Sequence, residues 1–85
     1  MDNNDKFLSI DDLYKKVLPA LQARVEELKR EKINFVDTID LWNYCVENIW
    51  RNKEDIRIYE LVSDILSVDG IKLKMYLKDK NKIKE

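Results

Sequence analysis

Apolar residues recur at helical spacing along most of the 85-residue chain. Placed at about 100° per residue, Ile10, Leu13, Tyr14, Val17, Leu18, Leu21, Val25 and Leu28 share one side, while Lys15, Lys16, Gln22, Glu26, Lys29 and Arg30 mostly take the other. This stripe predicts an amphipathic helix over residues 10–32, opened by Ser9 with Asp12 three places on, a weak form of the capping box. Pro19 interrupts the run, removing a backbone donor and colliding with the preceding turn at about 3 kcal/mol in a helix interior. The stripe nonetheless keeps its phase, and Pro19 projects to the polar side. One helix kinked at Pro19 and curving around a core is therefore expected rather than two short ones. Arg24 falls inside the apolar arc, where its stem can snorkel or its head can pair with an acid from a later helix.

The segment "INFVDT" suits an extended connection, and Asp37 or Thr38 can cap the next helix. That second helix is expected over about 38–51, with Ile39, Leu41, Trp42, Cys45, Val46, Ile49 and Trp50 across half its circumference. Trp42 lies at the centre of that arc, Trp50 at its margin and Tyr44 outside it. Asn52, followed by Glu54 and Asp55 at the positive end of a helix dipole, signals a third helix over about 53–67. In it Ile58, Tyr59, Leu61, Val62, Ile65 and Leu66 oppose Arg57, Glu60, Ser63 and Asp64. "IKLKMYLK" alternates as a strand would, but the chain offers no second strand to pair with it. A fourth helix, capped by Ser67 or Asp69, is the expected solution; it sets Val68, Ile71 and Met75 on one side and Leu73, Tyr76 and Leu77 on another.

These elements predict an all-α fold, a small bundle of four helices, whose core is Leu13, Val17, Leu21, Val25, Leu28, Leu41, Trp42, Cys45, Ile49, Ile58, Val62 and Ile65. A chain of this length supports one core, so the expected organisation is a helical domain over residues 9–79 between a flexible N-terminus (1–8) and a lysine-rich tail (80–85). With one glycine, one proline, 45% hydrophobic and 39% charged residues, the composition fits a helical, soluble domain. Its apolar runs are too short for a bilayer, and the acidic start does not resemble a signal peptide, so a cytoplasmic location without membrane insertion is expected.

Chemistry is sparse. Cys45 is the single cysteine and histidine is absent, which removes an internal disulfide, a zinc site and a Cys-His nucleophile. No phosphate-cradling glycine loop is present, and acidic pairs such as Asp11/Asp12 and Glu26/Glu27 point about 100° apart on a helix. The expectation is a protein that is not an enzyme, with no cofactor, no metal and no small-molecule substrate. Its work then falls to surfaces. Trp50, beside Arg51, and Tyr44, Tyr59, Leu73 and Tyr76 are the candidate protein-binding residues, for a protein partner or a second copy of the chain. The alternative is RNA or DNA binding through the basic C-terminus, where residues 70–85 hold six lysines against two acids; Lys72, Lys74, Lys78, Lys80 and Lys82 would carry it. The first turns of the fourth helix hold almost no Arg, Asn or Gln to read base edges, and the chain as a whole has a net charge of −1.

The stretches "LYKKVLPAL", "DLWNYCVENIW" and "RIYELVSDILSVD" resemble the small Post-transcriptional regulator family of low-GC Gram-positive bacteria, the ComN-like proteins. The resemblance spans about residues 13–77 and is most specific at Ile58 to Leu66, with Asp40, Leu41 and Trp42 forming an acidic-Leu-Trp block. Gly70 and the following "KLK" depart from the more neutral polar residues of that pattern. The resemblance implies a non-enzymatic regulator acting after transcription and linked to the expression of competence genes.

Overall fold

A computed structural model describes residues 10–53 and 56–80. Four helices make up the fold: α1 (Ile10–Arg30), α2 (Thr38–Asn48), α3 (Ile58–Leu66) and α4 (Gly70–Asp79). The all-α bundle expected from the periodicity is thus the observed architecture, and no described helix is long and apolar enough to cross a membrane.

α1 is a single unbroken helix with Pro19 inside it, exposed on the polar side. It ends two residues earlier than its stripe suggests, because Lys32 takes the left-handed conformation (φ 70°). Ile33 N–H then donates to Leu28 O (2.8 Å) and Lys32 N–H to Lys29 O (2.9 Å). Those two bonds make a Schellman motif, which satisfies carbonyls the helix end would otherwise leave orphaned. Ser9, the expected cap at the other end, lies outside the described residues.

Asp37 is the cap of α2, and it works reciprocally. Its carboxylate accepts from Asp40 N–H (2.8 Å) while Asp40 Oδ2 accepts from Asp37 N–H (3.4 Å). α2 stops at Asn48 instead of 51: Ile49 N–H still makes the helical bond to Cys45 O (2.9 Å), but Trp50 N–H turns back onto the same carbonyl (2.9 Å) and the Trp50 side chain is buried. α3 begins at Ile58, five residues later than expected, so Asn52 is not its cap. Arg57 holds that position, with its N–H on Glu60 Oε1 (2.9 Å); Glu54 and Asp55 lie outside the described residues. At α4 the cap is Asp69, whose Oδ1 accepts from Ile71 N–H (2.8 Å) and Lys72 N–H (3.3 Å). The strand alternation in "IKLK" therefore yields to a helix.

α3 lies along α1 in the same sense: Leu13 and Leu61 line one cleft near the start of both helices, and the Arg24 guanidinium reaches Val68 O (2.6 Å) just past the end of α3. α2 packs on α1 and α3, and α4 closes on α2. Arg24 thus neither merely snorkels nor pairs with an acid from α2 or α3. It ties the α3–α4 turn to α1 and holds Glu27 (2.9 Å) and Glu31 (3.7 Å) beside it. Of the expected core, Val17, Leu21, Val25, Leu28, Leu41, Trp42, Cys45 and Ile65 are buried, and Leu13, Ile49, Ile58 and Val62 are partly buried against them. Val36, Tyr44, Trp50, Leu61, Val68, Leu73 and Leu77 complete the interior.

Gly70 sits where α4 meets the end of α1. A Cβ placed there would stand 2.8 Å from Ile33 Cδ1 and 3.3 Å from Leu28 Cδ2, the pair whose contact accompanies the Schellman motif. A side chain at that point would have to displace Ile33 for α4 to stay seated.

Candidate protein-interaction surface

In the stretch "LWNYCVENIW", Leu41, Trp42, Tyr44, Cys45 and Trp50 are buried, while Asn43, Glu47 and Asn48 face solvent. Trp42 takes Tyr14 (centroids 5.6 Å apart, 78°) and Trp50 (5.4 Å, 62°) edge-on, an arrangement that favours the positive edge of one ring against the negative face of another. The polar handles are matched as well. Trp50 Nε1–H donates to Asp64 Oδ2 (2.8 Å), and the Tyr14 hydroxyl pairs with that of Thr38 (2.7 Å). Cys45 is fully buried, and burial, helped by the Asp64 carboxylate, pushes its thiol from 9.0 up to about 12. A thiol so held is protonated at neutral pH and is a poor nucleophile.

Four of the five candidate contact residues are drawn inward. Trp50, Tyr44 and Leu73 are buried and Tyr76 is half-buried; only Tyr59 stands in solvent, 69% exposed. A helical wheel places Tyr44 and Leu73 outside the apolar arcs a monomer would bury, and here the structure corrects it. α4 docks on the flank of α2 that carries Tyr44, so Tyr44 and Tyr76 meet edge-on (5.3 Å, 76°). Lys80 extends over the Tyr76 ring (5.6 Å) to Glu47 (3.3 Å). Burial raises both phenols, seconded at Tyr44 by Cys45 and Asp69 and at Tyr76 by Glu47, which also accepts a hydrogen bond from it, and by Asp40.

Other apolar side chains remain outside. On α3, Leu66 (44% exposed) follows Tyr59 two turns on along one line of the helix, so the apolar arc of α3 is wider than α1 and α2 cover. On α4, Ile71 (69%) and Met75 (62%) are one turn apart on the side away from the buried Leu73 and Leu77. The sequence signal for Leu66 is the breadth of the α3 arc; for Ile71 and Met75 it is the split of α4 into two apolar sides, of which one helix face can be buried. A cleft of about 390 Å³ also opens between Leu13, Trp42, Val46, Trp50, Ile56 and Leu61, with Arg51 and Lys53 at its rim. Lys53 lies 4.0 Å from Asp64.

The lysines expected to bind nucleic acid are placed differently from one another. Lys72, Lys74 and Lys78 are exposed on α4, Lys80 is engaged with Glu47 and Tyr76, and Lys82 lies outside the described residues. Among the described residues no group of three or more His, Cys, Asp and Glu side chains is placed to hold a metal ion.

The family model described as Post-transcriptional regulator matches residues 10–82, which takes in all four helices. The chain is also 45% identical over 58 residues to the Post-transcriptional regulator ComN of Bacillus subtilis (strain 168), an alignment covering 67% of this chain and 59% of that protein. It thus spans somewhat more than half the length of the curated relative it matches. No solved structure matches it. The bundle, with its interior indoles and its "YELVSDIL" helix, belongs to the Post-transcriptional regulator family.

Proposed function

We propose that the chain acts in the cytoplasm, after transcription, as a non-enzymatic adaptor that binds a protein partner and serves the expression of competence genes. The observation that carries this is the apolar line of Tyr59 and Leu66 left outside the buried core. Exposed large apolar residues at helical spacing are the usual anchors of a helix that docks on another protein. The regulator in Bacillus subtilis bearing the name ComN supports the level at which the chain works, and its competence role comes from the family resemblance. Of the five candidate contact residues Tyr59 alone faces outward to meet a partner; Trp50, Tyr44, Leu73 and Tyr76 support the surface from within.

The rival is direct RNA binding through Lys72, Lys74 and Lys78, favoured by their exposure on one helix. Co-purification from the native host with and without nuclease separates the two. A protein partner that survives nuclease supports the adaptor; association that disappears with nuclease, and falls steeply between low and moderate salt in a purified RNA titration, replaces it.

A further inference from the structure

The outer face of α4 carries an apolar pair with a lysine on either side. Ile71 and Met75 project from the centre of that face, and at about 100° per residue Lys74 borders them on one side and Lys72, next to Asp79, on the other. Inside, Leu73 and Leu77 are fully covered and hold the helix on the bundle, so the outer pair is spare to folding. We propose that this lysine-bordered apolar ridge is a second docking face, and that its occupant is a protein surface in which an apolar groove is rimmed by Asp and Glu side chains.

This rests on the protein-binding role proposed above and adds the chemistry of the partner. Charge complementarity selects the occupant. Lys72 and Lys74 flank the apolar pair and outnumber the one acid beside it, Asp79, so the face matches acids around an apolar groove, with the apolar contact supplying affinity and the charges register and on-rate. A second copy meeting the same face isologously would set lysines against lysines. A phosphate backbone would satisfy the lysines but leave Ile71 and Met75, which cannot stack as aromatics do, without a role. A lipid surface needs a longer amphipathic face than two apolar residues provide.

The test uses the full chain and a labelled synthetic helix bearing leucines at three- and four-residue spacing flanked by glutamates. The same helix with serines for leucines and a polyuridine RNA serve as competing probes. The wild-type chain should bind the leucine-glutamate helix. Ile71→Ser/Met75→Ser and Lys72→Glu/Lys74→Glu should each weaken that binding about tenfold or more, with thermal melting unchanged because all four side chains are exposed. Equal binding of the serine control, or an apolar variant that binds like wild type, overturns the proposal. So does RNA binding lost in the lysine variant alone. A photo-crosslinking residue at position 59 or 75 in the native host separates this idea from the broader one. Capture at 75 of a protein through an acidic segment supports the ridge. Capture at 59 but never at 75 overturns it and leaves the adaptor standing, and capture of RNA alone at both positions removes both.

Discussion

Trp50 illustrates how one residue is claimed by the interior. An indole at the edge of an apolar arc beside an arginine has the composition of an interface anchor, yet here its N–H finds Asp64 and its ring finds Trp42. Replacing it by phenylalanine keeps an aromatic edge but leaves Asp64 without this donor. Trp50→Phe should cost about 1.5–3 kcal/mol, the range for a hydrogen bond to a charged group, and should appear as a lower urea midpoint. Cys45 makes a pH prediction. Its folded-state value of about 12 lies above the ordinary 9.0, so in that window the unfolded chain gives up a proton that the folded chain keeps. The stabilisation is whole below pH 9.0 and is lost as pH rises towards 12, with Tyr44 and Tyr76 acting in the same direction above their ordinary 10.0. Urea midpoints measured across pH 9–12 should fall with pH, and less steeply in Cys45→Ala.

At the level of elements, local signals locate helices better than they locate helix ends. Asp37 and Asp69 are legible as caps because a short carboxylate before an apolar run has few other uses. Asp37→Ala should cost about 1 kcal/mol in thermal melts, since it removes the acceptor for Asp40 N–H. The start of α3 is misplaced from sequence because Asn52 and the acids after it mimic a cap, while the true start depends on the bond between Arg57 N–H and Glu60. The end of α1 depends on a left-handed lysine that no periodicity announces. Glycine adopts that conformation without the Cβ penalty. Lys32→Gly should therefore stabilise the protein by about 1 kcal/mol, read as a higher melting temperature.

For the whole molecule, the fold class and most of the core are legible because three stripes at helical spacing admit few packings. The outward surface is less so. A wheel ranks residues within one helix, whereas exposure is decided by which flank a neighbouring helix covers; α4 on α2 buries Tyr44, Leu73 and part of Tyr76, and leaves Ile71 and Met75 outside. The result is a buried core with apolar lines on the exterior, and the proposed docking role rests on those lines. The decisive comparison is Tyr59→Ser/Leu66→Ser against wild type in a nuclease-treated co-purification from the native host. Tyr59 is largely exposed, so its replacement should change stability by no more than about 0.5 kcal/mol, while that of Leu66, with about half its surface covered, should cost about 1 kcal/mol. Wild type should retain a protein partner after nuclease, and the double variant, equally folded, should lose it. Retention of the same partner by the double variant, or a wild-type complex that nuclease dissolves, would refute the docking role.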